Sequence, residues 1–266
     1  MSDNPLNNLS YDSLITFAKT LSQCARQTAL PYFRSNLTIE DKQDLSPVTL
    51  ADQNTERALI RLIKNTFPEH SIYGEEFGQE IQDKSEYTWV IDPIDGTRGF
   101  VMGIPLFTTL IALLKNGEPI FGMMDALALN ERWFGFKDDL SIFNDNVINK
   151  LQGYKSLQDA QIFTTTPKMF AGESLLAYER LSKQAKALRF GCDAYGYGQL
   201  ALGHADAVVE ADLKPYDFLA LVPILKGAGA IISDWHGKPL TINSNGYVVA
   251  SRNAALHADI LACLNE

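Results

Sequence analysis

The stretch Trp89-Val90-Ile91-Asp92-Pro93-Ile94-Asp95-Gly96-Thr97 constrains the fold of this chain more than any other. Its apolar start, Trp89 to Ile91, reads as the end of a buried strand. Pro93, with no N–H and a fixed φ, is expected to stop the ladder there. Asp92 and Asp95 should then leave the strand at its tip, around a rigid Pro-Ile corner, with the Ile94 carbonyl able to face the same point. Oxygen donors gathered in this way suit a hard divalent cation such as Mg²⁺, which keeps waters and phosphate oxygens in its shell. Gly96 lets backbone approach closely, and the Thr97 hydroxyl opens the short segment Arg98-Gly99-Phe100-Val101, which suits an oxyanion resting on a helix N-terminus. Taken alone, the same residues read equally as an Asp-Pro-x-Asp-Gly turn.

Charge narrows the function classes. The 266-residue chain has a formal net charge of −9 and a pI near 5.0, which argues against a nucleic-acid binder needing a basic face. An acidic protein that handles an anionic substrate needs cations, which points again to metal. Cys24, Cys192 and Cys263 are odd in number and far apart, so they suggest neither a disulfide framework nor a Cys-x-x-Cys zinc site. His70, His204, His236 and His257 lack the spacing of a zinc hydrolase. Met1-Ser2-Asp3-Asn4-Pro5 does not resemble a secretory leader, and no apolar run is long enough to span a bilayer. The expectation is a soluble, cytoplasmic protein with no membrane partner.

Along the chain, Ser10 caps a helical repeat through Leu14, Phe17, Ala18, Leu21 and Ala25 that ends around Pro31 to Phe33. Asp41 to Pro47 reads as a polar loop. Val48 to Asp52 then leads into a second helix with Ala58, Leu59, Leu62 and Ile63 on one face, closed by Pro68. Asp52 falls in its first turn, where the macrodipole favours an acid whether or not it has a further role. Apolar segments Phe107 to Leu114, Pro119 to Met124 and Arg132 to Phe136 read as an antiparallel meander, with Asn116-Gly117 as a hairpin turn. Beyond them the elements alternate: strand Gln161 to Thr165, helices near Glu173 to Lys186 and Tyr195 to Leu202, strand Ala207 to Glu210, helix Phe218 to Ala228, strands Ala230 to Ser233 and Tyr247 to Ala250, and helix Ala254 to Leu264. This predicts a layered α/β fold, one domain over 1–266 made of two packed halves, roughly 1–145 and 146–266, with the site in the crevice between them.

The motif Asp92-Pro93-Ile94-Asp95-Gly96-Thr97 resembles the central motif of the inositol monophosphatase family of Mg²⁺-dependent, Li⁺-sensitive phosphatases. The resemblance extends, in order, to Pro47-Val48-Thr49-Leu50-Ala51-Asp52, Gly74-Glu75-Glu76 and Pro215-Tyr216-Asp217, and so covers nearly the whole chain. It implies an αβαβα sandwich, a small phosphorylated metabolite as substrate and a homodimer. It also implies two or three Mg²⁺ ions, with Glu75, Asp92 and the Ile94 carbonyl holding one and Asp92, Asp95 and Asp217 another. In the same comparison Thr97 and Asp52 relay the proton of the attacking water, Glu76 supports them, and the Gly96 and Thr97 amides orient the phosphate. Asp95, Asp193, Glu210 and Asp217 lie toward the substrate. From local sequence alone, Asp217 reads as a first-turn acid behind Pro215 and His204 as a loop or packing histidine, while Asp193 has the alternative of capping the helix at Tyr195.

Within the family, Gly191-Cys192-Asp193-Ala194-Tyr195, Ala201-Leu202-Gly203-His204, Leu213-Lys214-Pro215-Tyr216-Asp217, Glu131-Arg132-Trp133 and Arg98 look closest to the histidinol-phosphatase branch. Acids at Asp193 and Glu210 would suit a substrate carrying an ammonium and an imidazole. The chain departs from the general pattern at Tyr216, at Lys226-Gly227-Ala228-Gly229-Ala230, and at Ala126-Leu127 after Asp125, where that branch usually has proline. The competing expectations are a phosphatase of inositol phosphate or another monoester, and a non-catalytic metal- or phosphate-binding regulator on the same fold.

Overall fold

Ser10, extended and accepting the Ser13 N–H, caps helix α1 (Tyr11–Ala29), whose Leu14, Phe17, Ala18, Leu21 and Ala25 are buried as the repeat predicts. The computed structural model describes residues 10–35, 39–41, 47–82, 85–137, 140–153 and 155–266. The N-terminal lead and residues 42–46 of the expected polar loop lie outside them. Strands β1 (Ile39–Asp41) and β2 (Pro47–Thr49) pair with each other and run into helix α2 (Leu50–Thr66).

The next elements build one sheet. Strands β3 (Ser71–Gly74), β4 (Gly78–Glu80) and β5 (Tyr87–Asp95) are followed by the short helix α3 (Thr97–Val101). Then come β6 (Thr108–Lys115), β7 (Glu118–Ala126), β8 (Glu131–Phe136), β9 (Leu140–Phe143) and β10 (Asn146–Val147). Their order is β10-β9-β8-β7-β6-β5-β3-β4, antiparallel except where β3 runs parallel to β5. The expected meander is present, and Asn116 and Gly117 both take positive φ in its hairpin turn, as a tight two-residue loop requires.

The second sheet combines β11 (Gln161–Thr164), β12 (Ala187–Phe190), β13 (Ala207–Glu210), β14 (Ile231–Ser233) and β15 (Val248–Ser251), in the order β12-β11-β13-β15-β14. Its helices are α4 (Glu173–Gln184), α5 (Tyr195–Ala201), α6 (Pro215–Phe218), α7 (Leu221–Gly227) and α8 (Ala254–Leu264).

Side-chain alternation explains the stacking. Leu110, Ala112 and Leu114 of β6 face a core shared with α5, α7 and the second sheet, whereas Ile111 and Leu113 face α1 and α2. The far side of the second sheet packs Ile162, Val209 and Val249 against α4 and α8. The result is five layers, α1/α2, sheet, α5–α7, sheet, α4/α8, the αβαβα sandwich that the resemblance implied. A sheet covered on both faces explains why β6 carries an unbroken apolar run from Leu110 to Leu114. At the outer layer, fully buried Asp125 accepts hydrogen bonds from Ser22 and Arg26 of α1 and from Arg132 of β8.

The structure corrects two expectations and adds an element. Pro93 does not end its strand: β5 continues to Asp95 by a shift of register, with Asp92 opposite Leu110 and Asp95 opposite Thr108. A bulge leaves Pro93 without an amide to satisfy, while its carbonyl accepts the Thr109 hydroxyl at 2.7 Å. The helix expected over Phe218 to Ala228 is broken into α6 and α7, because Pro223 has no N–H to return to Leu219. Exposed β12 is an element that no expectation covered, since an edge strand in this position carries little apolar alternation.

Candidate functional site

β5 brings its acids to the point where the two halves meet. Asp92 is 2% exposed, and the parallel register of β3, Gly74 opposite Ile91, sets the turn containing Glu75 and Glu76 beside it. Asp217 enters from the second half at the start of α6, where its Oδ2 accepts the Lys214 N–H at 2.6 Å. Carboxylate oxygens of Asp92, Asp95 and Asp217 lie within 4.8 Å of one another. Asp52, in the first turn of α2, is buried and close enough to add to the negative potential at Asp92.

Electrostatics make this cluster costly without a cation. Burial, then Glu75, Asp95, Asp217 and Asp52, pushes Asp92 well above the usual carboxylate range. Asp95 is raised by burial, Asp193 and Asp217, opposed by the Ala194 N–H that it accepts at 2.8 Å. Burial raises Asp217 to about 6, opposed by hydrogen bonds from the Lys214 amide and with Asp92. Carboxyls that hydrogen-bond each other share a proton, and a divalent cation can take that proton's place. Asp92 Oδ1 is buried with no hydrogen-bond partner, as expected of an atom reserved for a ligand. The donor set is entirely oxygen, so the residues present fit a hard cation.

The turn after β5 is built for close approach. Gly96 takes φ 83° before α3, and a Cβ there would lie 3.2 Å from Asp193 Oδ2 in a backbone conformation that side chains disfavour. The Thr97 hydroxyl donates to the Ile94 carbonyl at 2.9 Å, which orients both groups named by the sequence.

Asp193 does not cap α5. It takes φ 45°, and α5 begins after Ala194 without a side-chain cap, because the Asp193 carboxylate turns instead toward Gly96 and Thr165. Burial raises Asp193, against the opposing charge of Arg98 and a hydrogen bond with Thr165. Glu210 is buried and raised to about 7, chiefly by desolvation. Its Oε1 accepts the Thr165 amide at 3.0 Å and hydroxyl at 2.5 Å, and its Oε2 accepts the Tyr197 hydroxyl at 2.9 Å. Tyr197 is therefore more than packing, whereas Trp133 and Phe134 are buried in the two cores. His204 is exposed.

Sequence reasoning missed Thr165, whose hydroxyl joins Glu210 and Asp193, and Glu56, a buried acid whose Oε2 accepts the Glu76 N–H at 2.8 Å. Thr165 carries no local signal. Glu56 does: it falls in helical phase with buried Leu59 and Ile63, where an unexplained carboxylate is rare.

The inositol monophosphatase family model matches residues 10–266. A chloroplastic bifunctional phosphatase of Arabidopsis thaliana, IMPL2, is 41% identical over 94% of this chain and 72% of its own length. A histidinol-phosphatase of Chlorobaculum parvum is 30% identical over 95% of this chain and 96% of its own. Among solved structures, an inositol monophosphatase from Zymomonas mobilis matches with a TM-score of 0.87 at 39% identity, covering 97% of this chain and 99% of that one.

Proposed function

The chain belongs to the inositol monophosphatase family, whose members are phosphoric monoester hydrolases, and on that premise we propose that it hydrolyses histidinol phosphate to histidinol and phosphate with Mg²⁺. The observation that carries the substrate choice is the Asp193 carboxylate beside Gly96, with buried Glu210 linked to it through Thr165. Anionic groups next to the phosphate-binding turn suit a phosphate ester whose other end is cationic, and a neutral cyclitol offers them no charge to pair. The 30% identity to a histidinol-phosphatase supports the same choice.

In this reading Glu75, Asp92, Asp95, Asp217 and the Ile94 carbonyl hold the ions, two or three of them. When bound, Mg²⁺ neutralises phosphate charge and lowers the pKa of water. The protein's own groups do the rest. The Gly96 and Thr97 amides orient the phosphate, and Asp193 and Glu210 fix the amino alcohol. Water attacks phosphorus as the ester P–O bond breaks; the proton of the attacking water passes by Thr97 to Asp52, with Glu76 in support, and the departing alkoxide takes a proton from solvent water, so that histidinol and inorganic phosphate leave. For that relay the Thr97 hydroxyl must turn away from the Ile94 carbonyl, its partner at 2.9 Å. The protein is proposed to act as a homodimer in a reducing cytoplasm, consistent with free Cys24, Cys192 and Cys263.

A second reading, inositol phosphate as substrate, is favoured by the 39% identity to the Zymomonas mobilis structure. Phosphate release with and without Mg²⁺ separates them, across histidinol phosphate, inositol 1-phosphate, fructose 1,6-bisphosphate and phosphoadenosine phosphate. The highest kcat/KM is expected for histidinol phosphate. A higher value for inositol 1-phosphate overturns the substrate, and no release from any of the four in Mg²⁺ overturns it too, leaving another monoester or the non-catalytic alternative.

A further inference from the structure

The turn carrying Glu75 is clamped by a side chain from another layer. Glu56 sits on α2 one helical turn after Asp52, on the same face, and is 0% exposed. Its Oε2 accepts the Glu76 N–H at 2.8 Å and its Oε1 the Phe77 N–H at 3.0 Å. The preceding amide, Glu75 N–H, goes the other way, to the Ile91 carbonyl at 3.1 Å. Consecutive amides of the turn are thus bound from α2 on one side and β5 on the other. Gly74 belongs to the same device, since a Cβ there would overlap Glu56 Oε1. One residue along α2, the Arg57 guanidinium lies 4.9 Å from the centre of the Phe77 ring.

A carboxylate suits this place for a specific reason. Two amides point at two different oxygens, and only a carboxylate offers an acceptor to each; a glutamine of the same size would turn its NH₂ on one of them. Charged acceptors also make the stronger bonds. Yet α2 already brings the charge of Asp52 to the cluster around Asp92, so a further buried acid nearby is unfavourable unless its geometry is needed.

We infer that Glu56 is a positioning residue that fixes the direction in which Glu75 leaves its turn, and through Glu75 sets the affinity of the site for a divalent cation. The inference rests on Glu75 being a metal ligand, as proposed above.

The test is calorimetric titration with Mn²⁺ alone, with no substrate, on the wild type and on E56Q, E56A, G74A and E75Q, each checked for folding by circular dichroism. E56Q and E56A should weaken Mn²⁺ binding by about 10–100-fold, as loss of a group supporting a metal ligand does. G74A should do the same by displacing Glu56, and should add little in the E56A background, where the space is vacant. Undiminished binding by folded E56Q and G74A overturns the inference if E75Q weakens binding. Undiminished binding by E75Q overturns the metal role of Glu75 itself. A readout without substitution guards against variants that fail to fold: by reciprocity of linked equilibria, Mg²⁺ should slow hydrogen exchange at the Glu76 and Phe77 amides of the wild type. Unchanged exchange at both, with metal bound, counts against the coupling.

Discussion

The Asp95 carboxylate accepts the Ala194 backbone N–H at 2.8 Å across a sequence separation of 99 residues. That bond ties the end of β5, from the first sheet, to the start of α5, between the sheets. It orients an acid of the cluster from the opposite half of the molecule, and it places Asp193, the neighbour of Ala194, against Gly96. The group that would read the substrate and the group that would hold the cation are thus set by one contact.

Asp92 is the deepest of the clustered acids and retains an unpartnered oxygen. Asp92→Asn keeps the size and removes the charge. Turnover in Mg²⁺ is expected to fall by more than about 100-fold, beyond the range of changes outside the ligand shell, while the circular dichroism spectrum is retained. Unchanged turnover would reduce the motif to a turn.

Stability should depend on pH through the same cluster. Asp217 is raised to about 6 and Glu210 to about 7. Carboxylates raised in the fold stabilise it below their unfolded values and lose that contribution as pH rises through the folded ones, so the contribution of these two acids to the metal-free protein should be lost between about pH 4 and pH 7. A cation that binds the ionised cluster restores the loss. The difference in Tm between saturating Mg²⁺ and EDTA is therefore expected to grow from about pH 5 to pH 8. His70 and His257, lowered by burial to about 4, remove stability in the other direction as pH falls below their ordinary 6.5, equally in both arms. A difference that stays constant with pH would disconnect these acids from the cation.

Asp193 is a cleaner probe of specificity than Glu210, because Glu210 already accepts bonds from Thr165 and Tyr197 that a substitution would break. Asp193→Asn should lower kcat/KM for histidinol phosphate by a desolvated charge contact, about 2–5 kcal/mol, and spare a small uncharged ester. Equal losses on both would assign Asp193 to the fold or the cation site.

Asp125 offers a contrast far from the chemistry. It is 0% exposed and accepts from Ser22, Arg26 and Arg132. Asp125→Ala would leave arginines without their acid inside the outer layer, at a cost of about 3–5 kcal/mol in urea unfolding. The Mg²⁺ concentration for half-maximal activity of the folded protein should not change. A shift in that concentration would mean that strain at α1 reaches the site.

Much of the fold was legible because its signals are local. The repeat from Leu14 to Ala25 needs only the helical period, and Asn116-Gly117 needs only a turn that tolerates positive φ. The reading failed where a neighbour changed the local rule. Pro93 should have ended a strand, yet the bulge opposite Leu110 and Thr108 carries β5 past it. For Asp193 the local rule allowed a helix cap beside the substrate-side place that the resemblance implied, and its carboxylate faces Gly96 instead of capping α5.

The sequence by itself determined the kind of chemistry: oxygen donors at Asp92, Ile94 and Asp95, a glycine and a hydroxyl directly after them, and further acids at Glu75 and Asp217, all residue types that suit a hard cation and an oxyanion. Only the tertiary structure decided which acids meet and which way they face. Asp217 reaches Asp92 because the segment that follows it lies directly on β7 and β8, where any side chain at Gly122 or Gly135 would strike the backbone of Ala220 or Ile224. Glu75 is aimed by Glu56 from a different layer. Hydrogen-bond capacity and periodicity are properties of a few neighbouring residues, whereas convergence depends on sheet order and on how closely layers pack, and neither is contained in any short stretch of the chain.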